Sequence, residues 1–281
     1  EDTPNVTLTS AAAENVEITN AREEGSVTFS AQKTYTNGNL KDKQFYFELS
    51  QVGAADGTGE VPAENVKLAA AEEKQHKEEG TVQTVDFSTI NFTQADIGKT
   101  FYFKIVETHI PTDIDPATHI SPSDHIRYDV SEHYFTVTIT SENGALVVTK
   151  TAQTTGDGNT LAKFGNKLLG SITVTKNVVV NGEGSDELIG ETITIGLFPG
   201  DEEPDNDAVA DDTYELEIKD ATTTETAFEN LELGTYYVYE VDENGHPIKS
   251  GATTAIGEHV YTVSEDTPNV TLTSAAAENV E

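Results

Sequence analysis

Lys33, Glu107 and Asn166 each extend a row of apolar residues spaced two apart, so on a strand each points into the interior that its row lines. The rows are Val27, Phe29, Ala31, Lys33; then Phe101, Phe103, Ile105, Glu107; then Phe164, Asn166. A second set keeps the same order, with Ile172, Val174, Lys176; Tyr236, Val238, Glu240; and Val16, Ile18, Asn20. A lone buried charge forfeits hydration worth several kcal/mol. An ion pair avoids that cost, and so does chemistry that removes the charge. Burial lowers a lysine's pKa and raises a glutamate's, so a desolvated pair can pass its proton across and stand as neutral amine and neutral acid. A neutral amine held against a side-chain amide, with a carboxyl that polarises the amide and shuttles protons, can displace ammonia and form an isopeptide bond. That reaction happens once per domain, so it is maturation and not turnover. Taken singly, each residue has an ordinary explanation: strand lysines snorkel, glutamates cap edges and asparagines turn. Six of matching parity in a repeated order point to the chemistry.

The elements that must position these residues are strands. Threonine, valine, isoleucine, tyrosine and phenylalanine alternate in short runs broken by Asn-Gly, Asp-Gly and proline turns, which reads as an all-β chain of sandwiches. Strands are expected at 27–33, 44–50, 100–107, 134–140, 146–149, 172–180, 192–198, 214–218, 235–241, 260–263 and 270–273. The Ala-, Glu- and Lys-rich stretch 65–79 has little apolar face and reads as an exposed excursion or extended hairpin. A single helical turn is expected at 93–97, before Gly98. FGNKLLGSITVTK closes one strand set and opens the next, which puts a boundary near 167–170.

Residues 1–17, EDTPNVTLTSAAAENVE, recur unchanged at 265–281, an offset of 264 residues. So large a period holds whole domains, so the expected architecture is a tandem array of beads and not a solenoid. The expected division is 1–22 as the closing strands of a preceding copy's second domain, 23–167 as the first domain, and 168–281 as the second without its final strand end. One period beyond Asn20 is position 284, so the strand end that completes the second domain is expected from the next copy, in a head-to-tail filament.

Fifty acidic residues stand against sixteen Lys and Arg, a formal charge of −34. Such a field repels nucleic acid and anionic membranes, and the sequence has no apolar run long enough to span a bilayer. Cysteine, methionine and tryptophan are absent, so no disulfide can staple the fold, and few sites exist for oxidative damage, which suits extracellular life. The acidic stretch with Asp201, Glu202, Glu203, Asp205, Asp207, Asp211 and Asp212 lacks an EF-hand spacing and reads as a solvated charge run. The seven histidines show no zinc-binding spacing. No phosphate loop, nucleophile elbow or thiol is visible, so neither a turnover enzyme nor a cofactor or metal is expected.

The segments TYTNGNLKDKQFYFELSQVG, TVDFSTINFTQADIGKTFYFKIVETH, IRYDVSEHYFTVTITSENGALVVT and KFGNK resemble the isopeptide-forming major-pilin (FctA) domain of Gram-positive surface proteins, over about residues 25 to 167. GSITVTKNVVVNG, ETITIGLFPG, AFENLELGTYYVYEVDENG and YTVSEDTPNVTLTSAAAENVEITN resemble the CnaB repeat domain of collagen-binding adhesins. Both resemblances imply an immunoglobulin-like β-sandwich whose first-strand lysine bonds a last-strand asparagine under a mid-domain glutamate, two such domains per repeat. They assign Lys33, Glu107 and Asn166 to the first domain, and Lys176, Glu240 and Asn20 or its copy to the second. FSAQK carries its lysine about two residues further along than ITVTK does, a departure between the two lysine strands.

The function that follows is a load-bearing bead of an extracellular fibre, an adhesin stalk or pilus-like filament held at the cell surface or wall. Its partners would be neighbouring copies of itself, with any host ligand bound elsewhere in the full protein. The alternative is a multivalent module that binds host glycan or protein, which an exposed aromatic or apolar patch on 54–79 would favour.

Overall fold

The computed structural model describes residues 24–76, 79–152, 161–264, 268–273 and 277–280. Residues 1–22, and with them Asn20 and the closing strands expected there, lie outside the described residues.

Alternation of buried and exposed residues runs along nearly every long strand, as a two-layer β fold requires. The first half contains β1 (Glu24–Val27), β2 (Ser30–Thr36), β3 (Tyr46–Val52), β4 (Glu72–Gln75), β5 (Val82–Asp86), β6 (Ile90–Thr93), β7 (Thr100–Thr108), β8 (Ile120–Ser121), β9 (Ile126–Arg127), β10 (Glu132–Glu142), β11 (Ala145–Ala152) and β12 (Ala162–Leu168). They form two five-stranded sheets, ordered β11-β10-β7-β3-β4 and β5-β2-β12-β9-β8, with β1 and β6 paired separately. The core between them is rich in phenylalanine, with Phe29, Phe45, Phe47, Phe92, Phe101, Phe103, Phe135 and Phe164 all buried. The excursion expected at 65–79 is partly structured. A 3-10 turn at Ala63–Asn65 leads to β4, which pairs along β3 and forms the edge of that sheet. The helical turn expected at 93–97 is a 3-10 turn, Gln94–Asp96, closed by a capping box between Thr93 and Asp96.

The second half contains β13 (Gly170–Asn177), β14 (Val179–Val180), β15 (Glu183–Gly184), β16 (Thr192–Pro199), β17 (Asp212–Glu217), β18 (Thr222–Leu231), β19 (Gly234–Glu240), β20 (Thr253–Ile256), β21 (His259–Thr262), β22 (Asn269–Leu272) and β23 (Ala277–Val280). Sheets β18-β13-β23 and β17-β16-β19-β22 enclose a separate aliphatic core that includes Ile172, Val174, Ile195, Val238, Val270 and Val280. Only Leu169 separates β12 from β13, and its amide donates to the His125 carbonyl at 2.9 Å.

One topological feature governs the chemistry. In each half the first and last long strands lie side by side and parallel, β2 with β12 and β13 with β23. Parallel neighbours cannot be joined by a tight turn, so each pair brings together residues from opposite ends of its half.

Candidate functional site

Lys33 stands on β2 opposite Phe164 of β12, and Asn166 lies two residues further along β12 on the same face. Glu107 comes from β7 in the facing sheet and so reaches both across the core. Lys33 and Asn166 are 0% exposed, and Glu107 7%. The three residues expected from strand parity therefore meet at one buried point.

A single carboxylate joins them. Lys33 Nζ donates to Glu107 Oε2 at 2.5 Å, and Asn166 Nδ2 donates to Oε1 at 2.6 Å. Asn166 Oδ1 accepts the backbone N–H of Asp129 at 2.8 Å. A backbone N–H can only donate, which fixes the amide with its oxygen toward Asp129 and its nitrogen toward Glu107. The surroundings are aromatic: Lys33 Nζ lies 4.3 Å from the centre of the Phe45 ring, and Phe164 packs on Phe47 at 5.2 Å.

Burial dominates the protonation of this pair. It pulls the Lys33 amine down to about 8, against the opposing pull of Glu107 and a smaller one from Asp129. It also pushes the Glu107 carboxyl up, opposed by Lys33 and Asn166 and reinforced by Asp129. The ion pair and its proton-transferred, neutral form are thereby drawn together in energy. The neutral form contains a free amine, a carboxylic acid and an amide on that acid, the set needed for ammonia displacement.

The second half repeats part of the pattern. Lys176 on β13 is hydrogen-bonded to Glu240 on β19, again from facing sheets. The Lys176 side chain keeps 21% exposure, and the pair borders an open cleft of about 180 Å³ lined by Val174, Val238, Tyr261 and Val280.

Other titratable clusters are structural. Lys67 pairs with Asp96 at 2.6 Å, and Gln51 Oε1 accepts the Lys67 backbone N–H at 2.7 Å, which pins the excursion to the sheet. In the acidic stretch, Glu203 accepts Lys249 at 2.8 Å and Tyr239 at 3.1 Å. Among the described residues, no three His, Asp or Glu side chains stand close enough together to hold a metal ion. Sequence reasoning missed Asp129, because an aspartate between strands is ordinarily a turn former and nothing in its spacing marks it.

Residues 29–168 match the family described as FctA, the Spy0128-like isopeptide containing domain. Solved structures similar to the chain include the major pilin protein (T-13) from Streptococcus pyogenes, 13% identical over 92% of this chain and 97% of that one, with a TM-score of 0.33. A second is the major pilin from Streptococcus pyogenes, 14% identical over 90% and 95%, TM-score 0.34. A third is the shaft pilin spaA from Lactobacillus rhamnosus GG, 11% identical over 91% and 96%, TM-score 0.20. Comparison with curated proteins found no match. The matched segment contains Lys33, Glu107 and Asn166 together with both sheets of the first core, and that segment is a domain of the FctA, Spy0128-like isopeptide containing family.

Proposed function

We propose that this chain is a load-bearing shaft unit of a bacterial surface fibre, and that Lys33 and Asn166 join in an isopeptide bond formed under Glu107. The observation that carries the proposal is the single buried carboxylate that holds the amine of the first long strand and the amide of the last. Neutral Lys33 Nζ attacks Asn166 Cγ, and the carbonyl electron pair moves to Oδ1. Glu107 takes a proton from the attacking nitrogen and delivers one to Nδ2, which leaves as ammonia as the carbonyl reforms. Glu107 ends as it began, so the step happens once and no cofactor enters. Tension arriving on β2 then leaves through β12 along a covalent link and bypasses the hydrogen-bonded core.

We read the second half as a CnaB-like domain, bounded near 168, whose crosslink needs a partner beyond Glu281. Val280 lies opposite Val174, so continuation of that ladder puts position 282 opposite Lys176. Position 284 would then stand two residues past the lysine's partner, as Asn166 does past Phe164. The repeat supplies asparagine there, since Asn20 lies one 264-residue period earlier. We therefore assign Asn20 and its copies to Lys176 and Glu240, which makes neighbouring copies the partners, head to tail, in a wall-held extracellular fibre. The alternative of a ligand-binding module draws no support from the excursion: its sequence from 54 to 79 contains no Phe, Tyr or Trp, and Val66 is its one large exposed apolar side chain among the described residues.

Intact mass tests the reading. The chain should weigh one ammonia less than its sequence, and Glu107→Ala should restore that ammonia while keeping the fold. A parent at full mass would refute the bond.

A further inference from the structure

The backbone N–H of Asp129 meets a reacting atom. It donates to Asn166 Oδ1 at 2.8 Å, the oxygen on which negative charge gathers when an amine adds to the amide carbon. We infer that this N–H is the oxyanion donor for isopeptide formation, and that the Asp129 side chain is the positioning group that aims it. The inference rests on the Lys33–Asn166 crosslink proposed above.

The aim is built into the strand edge. β9 and β12 pair antiparallel through Arg127 with Lys167 and Ile126 with Leu168, and the same register carried two residues on sets Asp129 opposite Gly165. There the strand ladder gives way to a side-chain substitute. Asp129 Oδ2 accepts the Gly165 N–H at 2.9 Å, and Oδ1 accepts the Ser131 N–H at 3.0 Å. Asp129 and the Gly165-Asn166 pair thus exchange two hydrogen bonds, one in each direction, and the residue is held from both sides. Its N–H needs no reorientation as the reaction proceeds, which is the property that makes a fixed donor effective in a water-poor site.

The division of labour across the amide is complete. Glu107 holds the nitrogen that must leave, and Asp129 holds the oxygen that must accept the electron pair. As Nζ adds to Cγ, the pair displaced onto Oδ1 is met by the N–H; it returns when Cγ–Nδ2 breaks, and ammonia departs with the proton from Glu107. The N–H gives up no proton. A purely structural role, satisfying a buried carbonyl oxygen, would need the same hydrogen bond but would not affect the rate.

The test is a timed one. The full chain is made by cell-free translation, portions are quenched in denaturant, and loss of ammonia is followed by mass. Replacing residue 129 by the α-hydroxy analogue of aspartate turns its amide into an ester, which removes the N–H and keeps the carboxylate. The ester should slow bond formation ~100-fold, the scale on which a single oxyanion donor acts, with the optimum pH unchanged because Lys33 and Glu107 are intact. Asp129→Ala should also be slow, and Asp129→Asn should recover most of the rate, because its amide oxygen can still accept from Gly165. An ester that reacts as fast as the parent overturns the inference and leaves the crosslink standing. A parent that never loses ammonia overturns the crosslink itself and the inference with it.

Discussion

The two halves of the chain set the same pair, lysine on the first strand and glutamate on the facing sheet, in different enclosures. In the first, β12 brings Asn166 against the pair and Lys33 is 0% exposed. In the second, β23 is described as far as Val280, and the Lys176 side chain retains 21% exposure beside an open cleft. The contrast teaches that the lysine and glutamate do not make the site alone. In the first half β12 supplies the amide, and burial of the pair shifts Lys33 and Glu107 toward their neutral forms.

The sharpest way to break the comparison is to prevent the proposed Lys33–Asn166 bond from forming. Lys33 and Asn166 lie 133 positions apart, and in the chain-entropy account used for disulfides a loop of this order is worth about 5 kcal/mol. At about 2–4 °C per kcal/mol for a body of this size, Glu107→Gln should lower the first domain's melting temperature by roughly 10 to 20 °C. Differential scanning calorimetry would show this, and an unchanged melting temperature would mean that the bond is absent or irrelevant.

The converse change should make the second half resemble the first. Extending the chain beyond Glu281 by Ile-Thr-Asn, the residues that follow the first copy of the repeat, should place an asparagine at position 284. A further ammonia should be lost, and Lys176→Ala or Glu240→Ala in the extended chain should abolish that second loss. Intact mass distinguishes the outcomes; an extended chain that reacts only at Lys33 would remove Asn20 from its assigned role.

The pH dependence of bond formation separates the reactive protonation state from the others. Below the raised value of Glu107 both groups carry protons and the amine is an unreactive ammonium. Above about 8 Lys33 and Glu107 have lost their shared proton, and none is left for the departing ammonia. The rate should therefore be bell-shaped, falling on the alkaline side from about 8, as measured by quenched mass spectrometry across buffers. A rate that keeps rising beyond pH 9 to 10 would leave ammonia departure without Glu107's proton.

The smallest effect is expected where the halves meet. Glu232 of the second half pairs with Arg127 at 3.1 Å and Lys167 at 2.6 Å of the first, and all three are more than a third exposed. Solvated pairs of this kind contribute about 0 to 1 kcal/mol. Glu232→Gln should leave both melting transitions nearly in place, and a large loss would show that the halves are energetically coupled.

Much of the site was legible because strand parity is a simple code. Phe101, Phe103 and Ile105 fix the face of Glu107, and Phe29 and Ala31 that of Lys33, whatever the partners of those strands are. β4 and the short β8 and β9 escaped notice because Glu72–Gln75 carries no apolar alternation and two-residue strands hold no period. That a first-strand lysine meets a last-strand asparagine was implied by family resemblance, and the parallel pairing of those strands was not read at all, since register between distant segments has no local signature. Asp129 was hidden for a further reason: its contribution is a backbone N–H, which every residue but proline possesses.

The central claim is most directly tested by digesting the folded, purified chain and identifying the peptides that contain Lys33 and Asn166. The account predicts one branched peptide carrying both residues, lighter by one ammonia than the sum of its arms, and its absence from Glu107→Ala. Recovery of two linear peptides, with the Lys33 amine and the Asn166 amide both intact, would contradict it.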